Sequence, residues 1–383
     1  MLFIHDHTFI FRNGKYYTTG SLNQQIMNRY IRWFKDVKVI ATKRSASEKD
    51  QNFVKAENNV KNIDFHLFKK SNNIIDLINY SKYIKKEVLK ANCVVIRMSI
   101  LGMIGAYYAK KYKIPYMVEM VACPWDSLWY HSKKGKIFAP IMTVITKQIC
   151  KNAPQVLYVT NEFLQNRYPT LGKQLGCSDV ELKSVSQNTL KMRLERIQNQ
   201  TNKKIKICTI ANVEVKYKGQ ELVIKSLNEL KDMGIECEYY LIGGGNPQRL
   251  LKICDELNVS KMVHIIGPKP HEEIFELLDS MDLYVQPSYQ EGLPRSVIEA
   301  MSRGCPVIGS SAGGIPELLS DNFVFKKGSK KGFIDIVKNI NRVELCKNAR
   351  LNFEKSKEYE KTTLSYKRDK FYTNFFQLAK KGN

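Results

Sequence analysis

Short apolar runs alternate with longer amphipathic stretches over most of this chain. The runs Leu2–His5, Val37–Ala41, Ile63–Phe68, Cys93–Arg97, Tyr116–Val121 and Val156–Thr160 have the length of strands. A small hairpin is predicted over Phe9–Tyr17, turning at Asn13-Gly14. Between the runs, residues from about 22 to 34, 74 to 90, 100 to 112, 133 to 151 and 163 to 168 carry apolar positions at helical spacing. The alternation restarts at Ile205–Ile210, with a helix over Glu221–Met233 and strands beginning at Tyr239, Val263, Asp282 and Val307. Further helices are predicted around Val297–Met301, after Gly314 and over 331–340. Such alternation predicts an α/β fold, with mostly parallel sheets flanked by helices. The polar, charged stretch beyond Val185 separates the two series as a helix and linker. The expected organisation is a first domain at 1–188, a linker at 189–203 and a second domain at 204–360.

Length and composition agree with two domains and real cores: 383 residues, 43% of them apolar. Lysine and arginine number 61 against 37 acidic residues, a net charge of +24 that suggests a polyanionic partner such as nucleic acid, an acidic membrane or phosphorylated substrates. A composition rich in Lys, Asn and Ile offers a blander source for part of that charge. Nine cysteines stand without a C-x-x-C pair, the pattern of reduced, buried thiols in a cytosolic protein. The start, MLFIHDHTFIF, lacks the unbroken apolar core of a signal peptide, and no run reaches the eighteen or so apolar residues of a membrane span. A soluble or peripheral protein is expected.

The most informative stretch is Ser288–Leu319, SYQEGLPRSVIEAMSRGCPVIGSSAGGIPELL. It reads as a loop leaving a strand, a helix carrying Val297, Ile298 and Met301, a stop at Gly304 and Pro306, and a second strand. Glu291 lies in the loop and Glu299 inside the helix. A glutamate on a helix's inner face is costly to bury without hydrogen bonds, and sugar or ribose hydroxyls suit an ionised carboxylate. An ordinary βαβ unit with exposed glutamates is the alternative. The Gly313-Gly314 pair is expected to open a helix whose free N–H groups would face a phosphate.

Taken together, Glu291 and Glu299 in an E-x7-E arrangement, the run E-G-L-P-R-S-V-I-E-A-M and the following G-G-I-P-E-L-L resemble the donor signature of the family-4 glycosyltransferases. The resemblance implies a retaining, metal-independent enzyme of GT-B fold, two Rossmann-like doubly wound domains facing each other across a donor and acceptor cleft. It implies that Glu291 contacts the donor sugar and Glu299 the ribose, beside Gly292, Leu293 and Pro294. Lys218 resembles the family lysine that reaches the diphosphate, Gly20 the glycine loop near the donor phosphates, and Pro268 the loop against the base. Asn212 stands where the family commonly has an arginine. Gly243 and Gly244 end another strand at the same crevice. No D-x-D occurs, so positive side chains and helix dipoles are expected to hold the diphosphate, with no cofactor besides the nucleotide sugar. The family's C-terminal helix crosses back to the first domain; here 361–383, with Tyr366, Phe371, Phe375 and Leu378, would do so.

The first half is less specific. Val121 stands near the family's histidine position, and Glu119, Asp126 or His131 are candidates to contact the sugar instead. Trp125 and Trp129 either stack on an acceptor or pack their loop. Lys133–Lys151 either rests on an anionic membrane or simply covers the sheet. Its segments GKYYTTGSLNQQIMNRYIRWF and YVTNEFLQNRYP look like bacterial enzymes that build surface polysaccharides. The expected reaction moves a hexose or N-acetylhexosamine from a nucleotide sugar, a UDP-sugar, to a lipid-linked or growing glycan at the cytoplasmic membrane face. Alternatives are a nucleotide-sugar epimerase or hydrolase, a phosphorylase-like enzyme, and a basic nucleic-acid-binding protein; against the last, Walker, zinc and RNA motifs are missing.

Overall fold

The computed structural model describes residues 1–12, 15–18, 22–45, 56–57, 63–71, 73–200 and 204–381. The Asn13-Gly14 turn and Gly20 lie outside the described residues. The first sheet contains β1 (Leu2–Arg12), β2 (Lys15–Thr18), β3 (Val37–Ser45), β4 (Ala56–Glu57), β5 (Ile63–Lys69), β6 (Val94–Arg97), β7 (Tyr116–Met120), β8 (Gln155–Tyr158) and β9 (Lys173–Gly176). Its parallel path runs β5-β3-β1-β6-β7-β8-β9, and β2 and β4 add antiparallel to the far end of β1. Around it lie α1 (Gln24–Ile31), α2 (Ile74–Lys90), α3 (Ile100–Lys111), α4 (Pro124–Trp129), α5 (Lys133–Asn152) and α6 (Phe163–Arg167).

The helix α7 (Gln187–Asn199) leads to the second sheet. Arg193 fixes it there, donating to the carbonyls of Met281 at 2.5 Å and Leu278 at 2.7 Å. That sheet has β10 (Ile205–Ile210), β11 (Cys237–Ile242), β12 (Val263–Gly267), β13 (Leu283–Gln286), β14 (Val307–Ser310) and β15 (Val324–Phe325). All six are parallel, in the order β12-β11-β10-β13-β14-β15. Its helices are α8 (Gln220–Ile224), α9 (Leu227–Asp232), α10 (Gln248–Glu256), α11 (His271–Ser280), α12 (Arg295–Ser302), α13 (Lys330–Asn339) and α14 (Arg342–Ser356). Strand order reverses between β1 and β6 in one sheet and between β10 and β13 in the other, which puts a crevice at the carboxyl ends of each pair.

Three local expectations are corrected. The helix predicted over Glu221–Met233 breaks into α8 and α9, because the buried Ser226 hydroxyl bonds the Leu222 carbonyl at 2.8 Å. The segment after Gly314 forms tight turns rather than a helix. On α15 (Lys361–Lys381), Tyr366 faces solvent and Leu378 is 38% exposed; the buried face carries Leu364, Arg368, Phe371, Tyr372, Phe375 and Ala379. This face packs on the first domain, with Phe375 edge-on to Phe34 at 6.2 Å.

Candidate active site

Both β10 and β13 end at the second sheet's switch point, and their exits lock together. After β10 the chain makes a short turn, Lys216–Lys218, into Gly219 at φ +72°. A Cβ at Gly219 would lie 2.0 Å from the Pro287 carbonyl oxygen, so only glycine lets this loop close on the exit of β13. Tyr289 N–H then donates to the Tyr217 carbonyl at 2.7 Å. The result places the Lys218 ammonium 2.8 Å from Glu291 Oε1. Gln286 Nε2 and the Ser288 hydroxyl donate to the same oxygen at 2.9 and 2.6 Å. Gln286 is itself aimed by Tyr284 and Ser296, whose hydroxyls donate to its carbonyl oxygen at 2.5 and 3.2 Å. Glu291 is only 9% exposed. Among the described residues no protein donor reaches its second oxygen.

Glu299, 5% exposed, projects from α12 among buried Val297, Ile298, Ala300 and Met301. One donor reaches its carboxylate among the described residues: His271 Nε2, 3.0 Å from Oε1. His271 opens α11 immediately after the Gly267–Pro270 loop. Sequence reasoning missed it, since its partner is 28 positions away on another helix.

The remaining second-domain candidates line the same sheet edge. Asn212 is exposed, and its side-chain oxygen accepts from the Glu214 amide at 2.9 Å, closing its own loop. The Gly244 carbonyl accepts from Val213 N–H at 3.0 Å, and Gly243 N–H donates to the Gly267 carbonyl at 2.9 Å, next to exposed Pro268. The loops after β10, β11 and β12 are thus tied into one rim.

This rim meets the first domain directly. Gly292 sits so close to β7's exit that a Cβ would lie 2.7 Å from the Val121 carbonyl oxygen. Leu293 packs into the first-domain core as well as its own, and buried Pro294 starts α12. The Gly314 amide expected to face a phosphate donates instead to the Gly292 carbonyl at 2.8 Å. Glu317 reaches across, its carboxylate accepting from the Asn161, Glu162 and Phe163 amides at 2.6, 3.1 and 2.5 Å. Gln290 donates to the Ser127 hydroxyl at 3.1 Å.

First-domain candidates fall out differently. Asp126 is buried in α4, 4.0 Å from Arg167, while His131 is exposed in the turn before α5. Trp125 and Trp129 stack on each other at 5.1 Å, with Arg167 and Lys136 over their rings. Glu119 is 2% exposed and saturated: Tyr30, Tyr372 and Arg97 donate to it at 2.8, 2.6 and 2.8 Å. A sugar hydroxyl could bond to it only by displacing one of these buried donors.

Two doubly wound domains are also the architecture of the solved proteins that this chain resembles. The family of glycosyl transferases group 1 matches residues 191–359. Protein CapJ of Staphylococcus aureus is 31% identical over 99% of this chain and 98% of its own length. The amylovoran biosynthesis glycosyltransferase AmsK of Erwinia amylovora is 34% identical over 33% of each chain. Sucrose-phosphate synthase from Thermosynechococcus elongatus superposes with a TM-score of 0.67 at 14% identity, covering 98% of this chain and 99% of its own. Anabaena HepE, solved in complex with UDP, gives 0.66 at 14% identity, covering 97% and 99%. The fold is GT-B, and the chain belongs to the group 1 glycosyltransferases.

Proposed function

We propose that this glycosyltransferase moves a hexose or N-acetylhexosamine from a UDP-sugar, with retention, to a lipid-linked or growing glycan in bacterial surface-polysaccharide synthesis. The observation that carries the reading is the pair Glu291 and Glu299: both nearly buried, each anchored through Oε1, each with Oε2 unmet by a protein donor among the described residues. A buried carboxylate in that state is suited to ligand hydroxyls, those of the donor sugar at Glu291 and of the ribose at Glu299. Among relatives, AmsK is named for amylovoran biosynthesis and Escherichia coli WcaL, 31% identical over 30% of the chain, as a putative colanic acid biosynthesis glycosyltransferase. HepE structures hold UDP and UDP-glucose.

In the transfer, the bond from the anomeric carbon to the diphosphate breaks while the acceptor hydroxyl oxygen bonds to that carbon on the same face. The acceptor proton passes to the departing phosphate oxygen. Lys218 turns from Glu291 to the diphosphate and meets its growing charge. The reading needs no metal and no cofactor besides the nucleotide sugar, because Lys218 is taken to supply the positive charge at the diphosphate. Calorimetry with UDP-, GDP-, dTDP- and CMP-sugars without metal tests this, repeated on Glu291→Ala and Glu299→Ala. One donor should bind and both variants should weaken it; silence across the panel sinks the reading.

The acceptor side is proposed to meet an anionic membrane through α5. Ile137, Phe138, Ile141 and Val144 are exposed along it, among exposed Lys133, Lys134, Lys136 and Lys147. Tyr107 and Lys110 of α3 extend the patch, and a groove of about 370 Å³ lies between the two helices. No described helix is long and apolar enough to cross a membrane, so contact would be interfacial. Co-sedimentation with phosphatidylglycerol vesicles but not phosphatidylcholine vesicles, lost on Ile137→Glu with Val144→Glu, is expected; equal behaviour with both lipids contradicts it.

A further inference from the structure

We infer that His271 is a positioning residue for the donor nucleotide, holding one oxygen of Glu299 so that the other is aimed at a ribose hydroxyl before the nucleotide arrives. The inference rests on the reading of Glu299 as the ribose contact. A carboxylate offers about four acceptor sites on its two oxygens, and Glu299 uses one of them among the described residues. Its surroundings on α12 are apolar and buried. Without His271 the carboxylate would be a buried anion with no donor, free to rotate or to take up a proton.

The histidine is built to prevent that. Pro270 precedes it at the start of α11, and its ring stands edge-on to Phe275 one turn later, at 4.9 Å and 87°. The ring is therefore oriented by its own helix before it meets Glu299. With a side chain 53% exposed, His271 reaches Glu299 from the solvent side, beside the loop carrying Pro268. A donor placed there preorganises the acceptor oxygen, and the effect should appear in nucleotide affinity rather than in the chemical step.

The experiment titrates UDP, GDP and CDP into the full chain and carries the tightest into His271→Ala, His271→Gln, Glu299→Ala and the double variant His271→Ala with Glu299→Ala. The 2′-deoxy and 3′-deoxy forms of that nucleotide are measured alongside. His271→Ala should weaken binding by about 5- to 30-fold, raise KM for the donor with kcat nearly unchanged, and shrink the preference for ribose over a deoxyribose. His271→Gln, which keeps an N–H donor, should recover most of the loss. In the Glu299→Ala background, His271→Ala should have no further effect. Unchanged affinity and unchanged ribose preference in His271→Ala, with only a lower melting temperature, would reduce the pair to a structural one and overturn the inference. A full additional loss in the Glu299→Ala background would overturn it too, by making His271 a direct ligand contact. If Glu299→Ala itself binds normally, the reading of Glu299 fails, a result distinct from either. Should His271→Ala fail to fold, His271→Gln and His271→Phe supply the same contrast between donor and no donor.

Discussion

Glu119 and Glu299 are both nearly buried, yet the protein treats them oppositely. Glu119, at the end of β7, takes hydrogen bonds from two phenols and a guanidinium, and burial followed by its negative charge holds the Tyr30 and Tyr372 phenols well above their ordinary range. Glu299 has His271 on one oxygen and no protein donor on the other among the described residues. Burial alone therefore does not mark a site; unmet acceptor capacity does. In the first domain the polar layer at the sheet's carboxyl edge is spent on holding α15, whereas in the second it is left open toward a ligand.

Substitutions can break this contrast. The largest effect should come from Glu119→Ala, which leaves the buried Arg97 and two phenols short of an acceptor and should cost roughly 3 kcal/mol, read as a fall in the urea midpoint. Glu299→Ala should stay within about 1 kcal/mol of wild type while losing nucleotide affinity; equal destabilisation by both would erase the distinction. Next, Lys218→Ala should lower kcat by about 10²- to 10³-fold, as expected for a group meeting leaving-group charge, with the fold intact by circular dichroism. Glu317→Ala removes three interdomain hydrogen bonds to a carboxylate and should cost about 1.5–3 kcal/mol of domain coupling; a larger radius of gyration in small-angle scattering would report it, and an unchanged one would contradict it.

The smallest effect is in pH. Burial, aided by Arg97, pushes His5 down to about 3 and His7 to about 4. The unfolded chain takes up these protons below its ordinary value near 6.5 while the folded chain does not, so stability is full above that point and declines as pH falls through the window. The slope should not exceed about 1.4 kcal/mol per pH unit for each histidine. Urea midpoints between pH 7.5 and 5 should show the decline, flattened in His5→Gln with His7→Gln.

The parallel sheets and the Glu291–Glu299 pair were legible because their signals are local: strand, loop and helix follow one another within thirty residues. Lys218 was legible only through its resemblance to a motif, since nothing in its own neighbourhood distinguishes it from other lysines. His271 was not, because its partner lies 28 positions away and only the fold brings it near; Gln286 and Ser288 sit within five positions of Glu291, but the strand-exit pattern does not show that their side chains turn onto it. The break at Ser226 and the turns after Gly314 escaped for another reason: a side-chain oxygen and a neighbouring loop outbid helix propensity there. On α15, helical spacing alone put Tyr366 and Leu378 inward, when the polar grip of Tyr372 and Arg368 on the first domain sets the helix's rotation.

That grip also orders events in time. Tyr372 meets Glu119 across 253 positions, so the domain synthesised first lacks its last covering helix until the second has been made. Closing so long a loop is slow, and until then Glu119 at the end of β7 has Tyr30 and Arg97 but lacks the Tyr372 phenol. On the ribosome, the early half is thus completed by the late one, and a pause before α15 would hold it in a state that exposes the apolar seat of Phe371 and Phe375.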